Sequence, residues 1–496
     1  MKNSVQLIAY VDRLGGTFAG LRELLSGPLE GLFGGVHVLP FFERIDGADA
    51  GFDPIDHTRV DSRLGTWNDV AALARDTDLM ADVIVNHMSS RSPQFLDLAE
   101  HGARSRFDGL FLTLDGVFPS GATERELLAI YRPRPGLPFT ALTLADGSRR
   151  LFWTTFTPEQ IDIDVTHPRG SEYLEHILRT FGARGIKMIR LDAIGYAIKK
   201  AGTSCFMLPE TYELIGELTA RARHHGLEVL VEVHSHYEQQ VEIARRVDWV
   251  YDFALPPLVL HAFSRGTAGA LKRWIAIRPR NAMTVLDTHD GIGVIDIAAE
   301  HGGSGRPGLV ADGELDRLVG DIHSSSRGQS ARATGAAASN LDLYQVNCTY
   351  YDALGRDDRK YLLARAIQFF LPGVPQVYYV GLLAGTNDMA LLERTGIGRD
   401  INRHYYSRAE VDEAVTRPCV RRLFALIRLR NEHSAFGGTF ELGESAEDTL
   451  SLVWRLGEAF ARLTVNVVTC EHRLEYSRAG RIERLDLDGA LASSVS

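Results

Sequence analysis

Three carboxylates in this chain close short apolar runs. Asp192 ends Met188-Ile189-Arg190-Leu191-Asp192, Glu232 ends GLEVLVE (226–232), and Asp290 ends LDTHD (286–290) with His289 beside it. Residues two apart on an extended segment share a face, so Arg190 and Asp192 point the same way. A guanidinium beside a carboxylate favours the ionised form, which suits a nucleophile, although a structural ion pair uses the same two residues. Glu232 follows enough apolar positions to stay dry, and desolvation raises a carboxyl pKa as a general acid requires. Beyond Asp290, Gly291 and Gly293 are expected to let the backbone turn sharply; a capped turn would use the same letters. Two carboxylates with a cationic neighbour can cleave a glycosidic bond through an oxocarbenium-like transition state, with retention if the carboxyls stand on adjacent strands.

Such carboxylates need a scaffold that brings them to one mouth. Apolar runs recur at 5–10, 36–40, 81–85, 188–191, 228–231, 249–251, 283–286 and 376–379, mostly followed by helix-like segments. Continuous apolar strands alternating with helices predict a parallel sheet covered on both faces, and eight of them predict an α/β fold, a closed (β/α)8 TIM barrel. The spacing predicts that 1–85, 166–291 and 356–435 build the barrel, with two inserted loop domains at 86–165 and 292–355. Insertions after barrel strands fall on the C-terminal face, where active sites lie, so both are expected to form substrate walls. Within the second, the Ser/Gly/Ala-rich stretch 324–339 reads as a mobile loop. From 436 to 496 the alternating runs TLSLVWRL, ARLTVNVVT and RIERLDLDG predict a small C-terminal antiparallel β domain.

Composition narrows the partners. The chain has 496 residues, with 54 Lys plus Arg against 64 Asp plus Glu, a net charge of −10. That balance argues against a nucleic-acid footprint and against an anionic membrane surface. At 45% hydrophobic the chain is not of a disordered class. Four dispersed cysteines without C-x-x-C spacing read as reduced thiols, the N-terminus lacks a signal-peptide pattern, and no apolar stretch nears the roughly 18 residues of a membrane span. The expectation is a cytoplasmic protein.

DVIVNHMS (82–89), IKMIRLDAIGY (186–196), Glu232-Val233 and LDTHD (286–290) resemble the four short conserved regions of the alpha-amylase superfamily. ADAGFDPIDHTRVD (48–61), IYRPRPGLPF (130–139), GTSCFMLPET (202–211), NLDLYQVNCTYY (340–351) and GIGRDINRHYY (396–406) resemble its sucrose phosphorylase branch, over nearly the whole chain. The resemblance implies Asp192 as nucleophile, Glu232 as general acid/base and Asp290 as transition-state stabiliser. It implies Asp49, His87, Arg190, His289 and Arg399 around a glucosyl subsite, with Phe52 and Phe156 as apolar platforms or, equally, as core aromatics. Arg134, Asp342, Tyr344 and Gln345 match two loops through which fructose and then phosphate occupy one acceptor subsite. His234 and Tyr196 match acceptor-side positions and read equally well as packing.

The implied reaction takes sucrose and inorganic phosphate to glucose 1-phosphate and fructose, with no cofactor, in a homodimer. Thr288 departs from the superfamily, which usually has Asn before the His-Asp pair. Asn86 matches a calcium ligand of many alpha-amylases, but the branch resembled here needs no metal. Alternatives left open are phosphorylases acting on sucrose 6-phosphate, glucosylglycerol or glucosylglycerate, an alpha-glucoside hydrolase, and a non-catalytic barrel. Asp342 favours neutral fructose, since a carboxylate there would repel a phosphorylated acceptor.

Overall fold

The computed structural model describes residues 2–43, 45–47, 49–134, 136–300, 305–334 and 345–488. Eight parallel strands close into a barrel: β1 (Gln6–Ala9), β2 (Gly35–Val38), β3 (Asp78–Ile84), β4 (Met188–Asp192), β5 (Glu228–Val231), β6 (Trp249–Asp252), β7 (Ala282–Thr284) and β8 (Val374–Tyr378). Each pairs with its neighbours in sequence and β8 pairs with β1. Every strand overlaps one of the apolar runs; β3 begins at Asp78, ahead of residue 81.

The helices on either side of β4 show why the strand stays in place. Pro168–Ala183 buries Leu174, Ile177, Leu178 and Phe181 along one stripe, and Pro168 sits in its first turn. There its missing N–H costs no helical bond. Pro209–His224 starts the same way and buries Ile215, Leu218 and Ala222. Apolar residues at this spacing form one face directed at the sheet.

Inside the barrel the strands present polar groups that pair with one another. Gln376 Nε2 donates to Gln6 Oε1 at 3.0 Å, and His37 Nε2 donates to Asp82 Oδ2 at 3.0 Å. All four side chains belong to fully buried residues, where unpaired polar atoms would be costly. The register sets Asp82 of β3 opposite Arg190 of β4, so the polar interior continues to the strand ends.

After β3, His87–Ser89 pairs antiparallel with Gln160–Asp162, and a hairpin joins Phe139–Thr143 to Arg149–Trp153. After β7, Ile292–Gly293 pairs with Gln345–Val346. The reading of 324–339 as a mobile loop is corrected for its described part. Helix Asp312–Ser325 runs into it, and a short helix follows at Gln329–Thr334. The serines that suggested mobility bond each other, Ser326 Oγ to Ser330 Oγ at 2.7 Å, and both are buried. Residues 335–339 lie outside the described residues.

The C-terminal sheet has five antiparallel strands, β9 (Thr439–Leu442), β10 (Thr449–Leu456), β11 (Ala459–Asn466), β12 (His472–Arg478) and β13 (Arg481–Arg484). Trp454 anchors it to the barrel by donating Nε1–H to the Phe370 carbonyl at 2.7 Å. The four cysteines are buried and form no disulfide. Among the described residues no helix is long and apolar enough to cross a membrane.

Candidate active site

Asp192 is the last residue of β4, Glu232 follows β5 directly, and Asp290 lies in the loop after β7. All three line one cavity above the C-terminal strand ends, together with Asp49, Phe52, His87, Arg134, Phe156, Tyr196, His289, Gln345 and Arg399. Arg190 and His234 do not line it: Arg190 contacts Asp192, and His234 lines a neighbouring small pocket that shares Asp290, 3.8 Å from Glu232. Asp342 and Tyr344 are outside the described residues.

One guanidinium organises the floor. Arg190 Nη1 donates to Asp192 Oδ1 at 2.7 Å and to Asp82 Oδ1 at 2.7 Å, while its Nη2 lies 3.8 Å from Glu232 Oε1. Asp82 in turn accepts from His37; burial pushes its carboxyl up, but His37 and Arg190 pull it down to about 2. The expectation that Arg190 depresses the Asp192 carboxyl and keeps it ionised is corrected, because the net shift is upward. Burial is the largest influence and pushes the Asp192 carboxyl up; Arg190 pulls it down, and Glu232, Asp82 and Asp290 push it up again. On balance the Asp192 carboxyl holds its proton more tightly than an isolated carboxyl would.

The turn after β4 links the two carboxylates through the backbone. Ala193 adopts φ 54 and ψ 17, the left-handed region that side-chain-bearing residues rarely enter. Its N–H donates to Glu232 Oε2 at 3.3 Å.

The opposite wall is a lattice of arginines and aspartates. Arg399 Nη1 lies 2.8 Å from Asp290 Oδ1 and 3.5 Å from Asp49 Oδ2, and Arg403 Nη1 lies 3.5 Å from Asp49 Oδ1. Burial pushes Asp290 up, but Arg399, His289, Arg403 and Arg190 outweigh it and hold the carboxyl far below its ordinary value. Asp49 is lowered in the same way: against burial stand Arg399, Arg403 and Arg134. Both stay ionised acceptors. Burial lowers His289 to about 3, leaving it neutral, and it stacks on Phe52 with centroids 4.6 Å apart. His87 donates Nε2–H to the Phe52 carbonyl at 2.8 Å, and Phe156 lies edge-on to Tyr196 with centroids 5.2 Å apart.

Gly291 and Gly293 have a different purpose from the turn expected of them, since neither has positive φ. A Cβ at Gly291 would meet Asn347 Oδ1 at 2.8 Å, and one at Gly293 would meet Asp296 Oδ2 at 2.4 Å. They are glycines because other groups pack against their backbone. Sequence reasoning did not assign Asp82, Arg403 or Gln160, although Gln160 lines the cavity and donates to Phe52 O at 3.1 Å. Asp82 left one signal, a charge inside an otherwise apolar run.

This geometry agrees with what the chain is similar to. Residues 16–251 match the alpha amylase catalytic domain model. The chain is 61% identical to a sucrose phosphorylase of Agrobacterium vitis, over 94% of this chain and 95% of the relative. It is 57% identical to one of Bifidobacterium adolescentis, over 94% and 92%. The chain belongs to the sucrose phosphorylase family. A crystal structure of sucrose 6F-phosphate phosphorylase from Thermoanaerobacter thermosaccharolyticum superimposes with TM-score 0.89 at 38% identity, over 98% of this chain and 97% of that one.

In this member of the sucrose phosphorylase family the surroundings of Asn86 do not fit a divalent cation. Lys199 Nζ lies 2.9 Å from Asn86 Oδ1 and 2.8 Å from Asp162 Oδ2, and it also donates to the Tyr196 carbonyl. An ammonium already occupies the point where these oxygens converge. Among the described residues two other groups have three possible metal donors within 4.8 Å of one another, Glu232 with His234 and Asp290, and His472 with Asp486 and Asp488. In each an arginine already pairs with one carboxylate, Arg399 with Asp290 and Arg359 with Asp488.

Proposed function

We propose that this chain transfers the glucosyl group of sucrose to inorganic phosphate, giving α-D-glucose 1-phosphate and D-fructose. The observation that carries the reading is the shared guanidinium. Arg190 contacts Asp192 at 2.7 Å but stands 3.8 Å from Glu232, so of the two carboxylates Asp192 is the one whose negative charge the guanidinium stabilises most directly.

In the first step an Asp192 oxygen attacks the anomeric carbon, the bond to the fructosyl oxygen breaks, and Glu232 gives that oxygen its proton. In the second, a phosphate oxygen attacks the same carbon, the ester bond to Asp192 breaks, and Glu232 takes up the proton phosphate loses. Two inversions return the α configuration. Asp290 and Asp49, kept ionised, accept hydrogen bonds from sugar hydroxyls with Arg399 between them; charge-assisted bonds of this kind are the strong ones. His87, His289, Phe52 and Phe156 complete the glucosyl subsite. Arg134, Gln345, Tyr196 and His234, with Asp342 and Tyr344, form the acceptor side, where Arg134 supplies positive charge to phosphate.

The reading includes a homodimer in the cytoplasm, carried over from the family resemblance, and sedimentation of the purified chain tests the dimer. Activity is tested by following sucrose with and without phosphate, reading glucose 1-phosphate and free glucose separately. The expected result is phosphate-dependent glucose 1-phosphate. Free glucose alone would make the enzyme a hydrolase, and turnover of sucrose 6-phosphate, glucosylglycerol or glucosylglycerate in preference to sucrose would overturn the assigned acceptor.

A further inference from the structure

We infer that Asp296, a residue outside the catalytic cavity, is a positioning residue that holds His234 as a fixed cation on the acceptor side; the purpose assigned to that cation rests on the phosphorylase reading above. Asp296 belongs to a short turn, Ile295–Ile297, in the second insert, and it is fully buried. Its Oδ2 lies 2.9 Å from His234 Nδ1. Its Oδ1 accepts from Gln240 Nε2 at 2.8 Å and from the Ser235 amide at 3.2 Å. An ionised carboxylate only accepts, so Nδ1 bears the hydrogen and Nε2 is the atom turned to the catalytic side, 3.8 Å from Glu232 Oε1.

The ring is held on its face as well. His234 stacks on Phe253 with centroids 3.9 Å apart and planes 17° apart. The absent side chain of Gly293 makes room for the pair, since a Cβ there would lie 2.4 Å from Asp296 Oδ2 and 2.9 Å from His234 Nδ1. Two segments other than its own thus hold the imidazole, the second insert through Asp296 and the end of β6 through Phe253, while Gln240 of helix Tyr237–Ala244 fixes Asp296. The charged groups acting most strongly on the ring are Asp296, Glu232 and Asp290. Burial works against charge, but these three outweigh it, so the ring keeps its proton to higher pH than an ordinary histidine.

A phosphate dianion arriving at the glucosyl–enzyme faces Glu232 and Asp290, and a fixed cation offsets that repulsion. Water, an uncharged acceptor, needs no such offset. Loss of Asp296 therefore acts on phosphate more than on water.

The test compares the full-length chain with Asp296→Asn in two reactions, sucrose phosphorolysis and phosphate-free hydrolysis. Losing a hydrogen bond to a charged partner predicts a rise in KM for phosphate of about tenfold or more, with a far smaller change in hydrolysis. An unchanged KM for phosphate, or equal loss in both reactions, overturns the inference. If Asp296→Asn does not fold, Gly293→Ala displaces the same contact from the other side and is read identically. In parallel, ¹⁵N-histidine spectra at neutral pH are expected to show a His234 imidazolium in the parent and its loss in Asp296→Asn. A neutral ring in the parent also overturns the inference. A parent that makes no glucose 1-phosphate contradicts the phosphorylase reading instead, and the ring signal then decides the role of Asp296.

Discussion

The ammonium of Lys199 and the carboxylate of Asp162 form an ion pair 2.8 Å long from which water is excluded, their side chains being 1% and 0% exposed. Lys199 follows the turn after β4, and Asp162 closes the first insert by pairing with His87. The contact therefore ties the wall bearing His87 and Phe156 to the strand bearing Asp192. Asp162 is further held by the Thr155 amide at 3.0 Å and by its hydroxyl at 2.5 Å.

Replacing one partner of such a pair strands the other charge in a dry site. Lys199→Met is expected to lower stability by about 3–5 kcal/mol, read as a fall in thermal midpoint, while a chelator leaves the parent's activity unchanged. A variant as stable as the parent, or a parent silenced by the chelator and restored by calcium, would contradict the assignment of Lys199 to this place.

Stability is expected to fall with pH well before carboxylates titrate. Burial holds His57 and His289 neutral, with values lowered to about 3, whereas the unfolded chain protonates them near 6.5. Between these values the unfolded state binds more protons, so stability rises with pH by about 1.4 kcal/mol per pH unit for each histidine. Asp82, Asp49 and Asp290, all lowered in the folded state, add stability that is present above about pH 4 and lost below it. Denaturant midpoints measured between pH 7 and pH 4 should decline from about pH 6.5 downward; a flat profile to pH 5 would refute the histidine argument.

Ala193 offers a test of the turn that joins the two catalytic-site carboxylates. Glycine enters the left-handed region freely and a β-branched residue does not. Ala193→Gly should keep activity and change stability by no more than about 1 kcal/mol, whereas Ala193→Val should shift the amide from Glu232 and lower kcat. Equal activities for the two variants would mean that the backbone contact at 3.3 Å is incidental.

The barrel was legible because each strand is an apolar run wide enough to be covered on both faces, and because carboxylates at run ends stand out against that background. What the runs hid is the inward-facing polar set of Gln6, His37, Asp82 and Gln376, whose partners lie on other strands. Asp296, Lys199 and Arg403 escaped for the same reason: each acts through a contact distant in sequence. Gly291 and Gly293 were noticed, but the letters alone do not distinguish a tight turn from a close approach by another side chain. The serines at 324–330 read as loop because nothing local says that Ser326 and Ser330 satisfy each other.

The central claim is that Asp192 carries the glucosyl group between two half-reactions. Peptide mass spectrometry of Glu232→Gln, after incubation with an activated α-glucosyl donor such as the fluoride and without phosphate, tests it most directly. The donor needs no acid to leave, and the missing base leaves the second step slow. The account predicts one added glucosyl unit on the peptide containing Asp192, removed when azide is supplied. A glucosyl unit on another residue, or none in a variant that still consumes the donor, would contradict it.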